Sequence, residues 1–396
     1  MMRTIAFAAR SLVRQPGRSS LGILGIAAVG ALLFDMLLLS RGLVVSFRDL
    51  LDSIGFDVRV TATDSPLPAG IRMAGASAAA REVAAVPGIA EVVPMRTANG
   101  ELLLERRVIG VGFTGMDPGA RRPWTIVAGR DLTLGADPPA LVVNETLMAQ
   151  LGLPLGADVR VRVGCDSSRA ALAPRTFRLA GVAQFPFDDE AQLTAVMTRA
   201  DLRRACGDEV DDADMLMVAS TGGAARAVAG IKAARPDLYP VTNEQIVARV
   251  QTQGFTYFRQ ISAVLSTITL LFGFLLITVL LTVSVNQRLA EIAALRALGF
   301  SRVRAAADVL AQGAMLVGAG GVLALPLGLA LSVWLDRILK AMPGIPAAMH
   351  FFVFEPRALV THAALLVVTA LLASAYPMWL VARLPIATTL RNEVVG

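Results

Sequence analysis

Between Arg259 and Arg288 the chain carries no charged side chain, and residues 261–286 form one continuous apolar run. An α-helix rises about 1.5 Å per residue, so about 20 apolar residues cross a hydrocarbon core. In such a solvent the backbone must satisfy its own hydrogen bonds, which a single helix does within one segment. Three other runs meet the same length test: 20–39, broken once by Asp35, then 309–335 and 359–380. The sequence therefore predicts an α-helical membrane protein with four transmembrane helices.

The remaining residues are distributed unevenly. Over 396 residues only 17% are charged, against about 25% in an ordinary soluble protein. Residues 41–259 have ordinary composition and balanced charge, and are numerous enough for a core of their own. The net charge of +6 comes mostly from the flanks of the apolar runs, which excludes a nucleic-acid face. Arg3, Arg10, Arg14 and Arg18 precede the first run, and Arg288, Arg296, Arg302 and Arg304 lie between the second and third. The positive-inside rule puts both segments in the cytoplasm, the tail with Arg383 and Arg391 beside them, and residues 41–259 outside. The first run is longer than a leader's apolar region and lacks a small-residue cleavage site after it, so it reads as a retained helix.

The expected order is a cytoplasmic amphipathic segment (1–18), a first transmembrane helix (19–40), an outer stalk (41–56) and an extracytoplasmic α+β domain (57–240). A second stalk (241–260), a second transmembrane helix (261–286), a cytoplasmic helix and loop (287–305) and a third transmembrane helix (306–335) follow. A short outer loop (336–357), a fourth transmembrane helix (358–381) and a cytoplasmic tail (382–396) complete it. Helical spacing of Leu43, Phe47, Leu50, Leu51 and Ile54, and of Ile246, Val250, Phe258 and Ile261, marks the stalks. Within the domain, 57–63 reads as a strand, 74–86 as a helix and 102–113 as strand-like. Residues 140–144 read as a strand leading into a helix closed by Gly152.

Several residues are candidate sites. Gly22, Gly25 and Gly30 at helical spacing could let two copies of the first helix approach closely. Asp35 lies toward the outer leaflet, facing water or a neighbouring helix. Cys165 and Cys206, both in the outside domain, could pair in an oxidising compartment or stand as two thiols. The acidic pieces 188–190 and 208–214 lack the register of a calcium loop and read as solvated loops. His350 and His362 are the two histidines, too few for a zinc or acid–base cluster, so no metal site is expected. No HExxH, GxSxG or GxxxxGK[ST] pattern occurs, so nucleotide chemistry would belong to another polypeptide.

The segment QRLAEIAALRALGFSRVRAAADVLAQGAML, with the Gly-rich run after it, resembles permease subunits of MacB/FtsX-type ABC transporters, the type VII group that includes lipoprotein-releasing permeases. The family pattern R-x-x-E-I-x-x-L-R-A-x-G is matched by Arg288, Glu291, Ile292, Leu295, Arg296, Ala297 and Gly299. Tyr376, Pro377, Ala382, Arg383, Leu390 and Arg391 resemble its closing pattern, and residues 140–161 followed by 177–183 look like its periplasmic core domain. Asn286 and Gln287 depart from it, standing where many relatives carry a charge.

The resemblance implies a coupling helix that docks in a groove of a separate cytoplasmic ATPase. Ile292, Leu295 and Leu298 would fill the groove, Arg288, Glu291 and Arg296 would make charged contacts, and Gly299 would end the helix. It implies no cofactor on this chain, ATP and Mg being bound by the partner ATPase. It also implies a second permease copy, identical or not, contact with membrane lipid, a periplasmic adaptor or acceptor protein as a further partner, and a bacterial inner-membrane location. Three functions compete: export or extraction of a lipid, lipoprotein, peptide or drug; FtsX-like mechanotransmission to a periplasmic enzyme without transport; and a membrane-anchored scaffold.

Overall fold

The computed structural model describes residues 16–64, 71–164, 173–207, 210–253, 256–287, 289–298 and 301–383. Residues 1–15 of the expected amphipathic segment, most of the expected tail, and Arg288, Gly299, Cys165, Leu390 and Arg391 lie outside them. The chain forms two compact units. One, a helical bundle, comprises Met1–Leu43, Phe255–Arg337 and Phe351–Gly396; the other, a soluble unit, comprises Val44–Gly254 and Ile338–His350.

Among the described residues, four helices are long and apolar enough to cross a membrane by length and composition. They are α1 (Pro16–Ser53), α7 (Thr256–Asn286), α9 (Arg302–Lys340) and α10 (Pro356–Ala382). Pro16 opens α1, where a missing N–H costs nothing, and α1 continues through the segment read as a stalk. α9 continues through Pro326. In the bundle, Ile26 of α1, Ile277 and Leu281 of α7, Leu316 and Val317 of α9, and Ala370 and Ala373 of α10 share one core.

Small residues set the helix spacing. A methyl built on Gly320 would stand 2.6 Å from the Ile26 side chain, and one on Gly30 would stand 2.8 Å from Cβ of Ala324. One on Gly328 would meet the Ala31 carbonyl at 3.2 Å. Gly22, Gly25 and Gly30, read from the sequence as a possible face between two copies, have close neighbours within this chain. Gly22 faces Leu280 and Leu316, Gly25 faces Leu276, and Gly30 faces Ala324 and His362, all of the same chain. Membrane helices gain little from expelling lipid, so close approach at small residues brings them together, and here it does so intramolecularly.

The soluble unit is built on a ten-stranded sheet. Its strands are β1 (Val58–Thr61), β3 (Ile89–Leu103), β4 (Val108–Met116), β5 (Thr125–Gly129), β6 (Ala140–Asn144), β7 (Asp158–Gly164), β8 (Arg175–Gln184), β9 (Thr194–Met197), β11 (Met215–Ser220) and β12 (Tyr239–Thr242). β2 (Met73–Ala74) and β10 (Asp212–Ala213) pair separately. The expected strand-like stretch at 102–113 takes in the end of β3, the hairpin turn, where Leu104 N–H bonds the Arg107 carbonyl at 2.9 Å, and the start of β4. Pairing runs β3–β4–β9–β6–β8–β7 and returns to β3, which closes a six-stranded ring. Closure leaves these strands without open edges.

Alternation fills the ring. Val159, Val161 and Val163 of β7, Phe177 and Leu179 of β8, and Leu141 and Val143 of β6 point into one core. Ala140 and Val142 of β6 point to a second. α3 (Glu145–Leu151), capped by Asn144, whose Oδ1 accepts from Leu147 N–H at 2.9 Å, and α4 (Arg199–Cys206) pack on the first core. α2 (Ala76–Ala84) and α5 (Ala224–Ala234) cover β1 and β11. The end of α1 and the helix α6 (Asn243–Gln253) meet through Leu51, Val241, Ile246 and Val247. Asn243 Nδ2 donates to the carbonyls of Leu51 and Phe56 and to Asp52.

The acidic pieces are anchors, which corrects their reading as solvated loops. Asp211 accepts from Ser77 N–H at 2.8 Å and from Arg199 at 2.6 Å. Burial alone would raise its carboxyl, but the bonds from Arg199 and Ser77 outweigh it and hold it below the usual range. Asp212 pairs with the fully buried Arg96 at 2.8 Å, and Asp214 accepts from Thr97 N–H at 2.6 Å. Asp188 is held between Asn144 Nδ2 at 2.8 Å and Thr194 Oγ1 at 3.0 Å. Burial pushes it up to about 6 from 3.8, against those two bonds and with help from the adjacent Asp189. Asp208 and Glu209 lie outside the described residues. Among the described residues no group of three or more His, Cys, Asp or Glu could hold a metal.

Two predictions follow from these packings. Gly320→Leu lowers the unfolding temperature of the purified chain in detergent, overpacking costing about 1–3 kcal/mol or more. Gly318→Leu, with no heavy atom within 4 Å of its virtual Cβ, leaves it unchanged. For Asp188 the folded value lies above the unfolded one, so its contribution is full below 3.8 and is lost as pH rises through about 6. Melting temperature therefore carries a falling component across that window, which Asp188→Asn removes.

Candidate coupling site

Between α7 and α9 lies α8 (Leu289–Ala297), nine residues long. Gln287 N–H bonds the Val283 carbonyl at 3.2 Å, and Leu298 N–H bonds the Ala294 carbonyl at 3.0 Å. Ser301 then starts α9: its carbonyl accepts from Arg304 N–H at 3.1 Å, and its hydroxyl lies 3.4 Å from the same donor. With Leu, Ala, Glu and Arg throughout, α8 has a high intrinsic helix propensity, but nine residues alone make a marginal helix. Packing supplies the rest.

That packing is one-sided. Leu289 and Ile292 rest against Val285 of α7, Val309 of α9 and Val381 of α10. Ala293 is fully buried, and Arg296 Nη1 donates to the Val381 carbonyl at 3.3 Å. Ile292 and Arg296, expected to meet the partner ATPase, thus also hold α8 to the bundle. Leu298 is 81% exposed and Val303 is 76% exposed, with Arg302 exposed between them. Glu291 and Leu295 lie on α8, and their side chains are outside the described residues, as are Arg288 and Gly299. Val303 went unnoticed in the sequence. Its signal was an apolar residue between two arginines, directly before a long apolar helix.

The other candidates sit elsewhere. Asp35 is fully buried and accepts from Ser332 Oγ of α9 at 2.8 Å, so it faces a neighbouring helix. His362 is buried against the Phe34 ring, 5.3 Å between centroids. Cys206 is buried on α4 and disulfide-bonded.

A model of the MacB-like periplasmic core domain matches residues 19–235, and one of the FtsX-like permease C-terminal region matches residues 263–386. Among solved structures the chain is similar to the periplasmic region of MacB from Actinobacillus actinomycetemcomitans. Identity is 14%, covering 51% of this chain and 98% of that one, with a TM-score of 0.37. The extracellular domain of the ABC-type transporter YknZ from Gram-positive bacteria shares 13% identity over 47% of this chain and 99% of its own, with a TM-score of 0.34. A domain of a permease protein from Porphyromonas gingivalis shares 16% over 47% and 87%, with a TM-score of 0.32. No curated protein matches the chain.

The one-sided packing generates a paired prediction. Ile292→Asp lowers the unfolding temperature, because it puts a charge into the cluster around Val285, Val309 and Val381. Leu298→Asp, at an exposed position, leaves it within about 0.5 kcal/mol of the parent. Thermal unfolding of the two variants in the same detergent checks both.

Proposed function

We propose, from the premise that this chain belongs to the family of the MacB-like periplasmic core domain and is a permease of the MacB/FtsX type, that it is the membrane subunit of an ABC transporter driven by a separate ATPase. The soluble unit is a MacB-like periplasmic core domain with an α+β fold. α1, α7, α9 and α10 cross the inner membrane, with both termini and α8 in the cytoplasm and the soluble unit outside. The arginine bias of the flanking segments supports this orientation.

One observation carries the reading: α8 packs on the bundle through Ile292 and leaves Leu298 and Val303 exposed beside Arg302. Apolar side chains left exposed next to charge suit a partner's groove. The ATPase binds ATP and Mg and moves α8; this chain's residues receive that movement and pass it to α7 and α9. Glu291 and Leu295 on α8, with Arg288 and Gly299 at its ends, complete the docking element. A second permease copy completes the membrane assembly. The moving soluble unit acts on a lipid, lipoprotein, peptide or drug, handed to a periplasmic adaptor or acceptor.

Co-purification from native membranes tests this reading. A stoichiometric ATPase is expected to elute with the full chain. Glu291→Lys and Leu298→Asp are expected to lose the ATPase, or its activity, by about tenfold or more while leaving membrane insertion intact. Normal ATPase coupling in both variants removes α8 as the docking element.

A further inference from the structure

On α10 the face turned away from the bundle core is graded along its length. Val368, Leu372, Tyr376 and Trp379 follow one another at helical spacing, each half or more exposed. Arg383, the residue that ends the helix, continues the same line and is exposed. The packed face has another composition: Ala370 and Ala373 belong to the bundle core, and Val381 packs on Val285 and Val309. One outward stripe therefore passes from aliphatic through aromatic to cationic.

The stripe has a telling length. From Val368 to Trp379 a helix rises about 16 Å at about 1.5 Å per residue, which is close to half of a hydrocarbon core about 30 Å thick. The two aromatic residues thus fall where one leaflet's hydrocarbon gives way to its headgroups, the level that Trp and Tyr favour. The aliphatic pair fits the acyl region of the same leaflet, and Arg383 falls among the phosphates.

The polar end is ordered. The Tyr376 and Trp379 rings stack with 6.3 Å between centroids and 23° between planes. The guanidinium carbon of Arg383 lies over the Trp379 ring, 4.8 Å from its centroid. Attraction to a ring's quadrupole consumes no N–H donor, so the planar fork of Arg383 keeps its donors for an anion and matches two oxygens of a phosphate. A second guanidinium, that of Arg296, bonds the Val381 carbonyl at 3.3 Å and so lies at the same end of the helix. A zwitterionic choline headgroup would bring its own ammonium to this end, where Arg383 already takes the place over Trp379. An anionic headgroup brings phosphate without a competing cation.

We propose that this outward stripe of α10 is a binding site for an anionic phospholipid of the leaflet at the Arg383 end. Arg383 takes the phosphate, Tyr376 and Trp379 flank the glycerol level, and an acyl chain lies along Leu372 and Val368. The proposal rests on the reading of α10 as a membrane-crossing helix and goes beyond it in naming the lipid.

Trp379 itself reports the outcome. The full chain is placed in vesicles of equimolar phosphatidylcholine and phosphatidylglycerol, with acyl-chain bromine on one lipid or on the other. The emission that the parent shows and Trp379→Phe lacks belongs to Trp379, since Trp124 and Trp334 are common to both. Brominated phosphatidylglycerol is expected to quench it about twofold or more beyond brominated phosphatidylcholine, and Arg383→Gln to make the two equal. Equal quenching in the parent, or a preference that survives Arg383→Gln, overturns the site. Quenching of Trp379 by neither lipid means that protein covers the stripe, and overturns it as well. In each of these cases flotation of the chain with the vesicles leaves the membrane reading of α10 standing, whereas failure to float overturns that reading too.

Discussion

At Gly320 there is no room for a Cβ: Ile26 of α1 already fills the place where one would stand. The same close approach recurs at Gly30 against Ala324 and at Gly328 against Ala31, so α1 and α9 lie against each other along much of their lengths. In lipid this contact cannot be replaced by looser apolar packing, because tails and leucines are equally apolar and only tight dispersion contact distinguishes them. The rest of the bundle adjusts to it. Asp35 meets Ser332 only because the helices are this close, and the buried carboxylate gains a donor there. Large residues such as Leu21, Leu24 and Leu32 are left on the opposite, exposed face of α1, where the proposed surroundings are hydrocarbon.

The soluble unit solves a different problem by different means. In water its strands need a buried face and few open edges, and closing β3, β4, β9, β6, β8 and β7 into a ring buries a face and removes the edges of those six. The cost appears where α2 and β10 join that ring, because Arg96 is fully buried. A buried guanidinium is tolerated only when paired, and Asp212 at 2.8 Å provides the counter-charge. Asp211 and Asp214 serve the neighbouring amides of Ser77 and Thr97. Acidic residues clustered in the sequence thus become anchors for separate elements.

Much of the bundle was legible because length, apolarity and flanking arginines are one-dimensional signals. The helices extend past the expected limits since charged residues at α-helix ends, such as Arg302 and Lys340, remain helical once they reach water. Partners were not legible. Glycine spacing announces that something comes close, but Gly22, Gly25 and Gly30 do not say whether the neighbour is another copy or α7 and α9. Ile292 and Leu298 look alike in the α8 pattern, and only the fold shows that one faces Val309 and Val381 and the other faces outward. The ring closure was invisible for the same reason: β7 pairs β3 across some 60 residues of sequence, and non-local pairing leaves no local signature.

A soluble unit tied to membrane helices only by flexible chain would absorb displacement as loop motion. Stiffness requires that backbone groups at the junctions have fixed partners, since each unpaired amide is a rotational freedom. Within the soluble unit, polar side chains fix backbone groups near some of its ends. Asn243 gathers the carbonyls of Leu51 and Phe56, and Ser46 and Asp189 take the amides of His350 and Gly344. These bonds are short and directional, so a shift in either partner strains them at once, whereas apolar contacts slide.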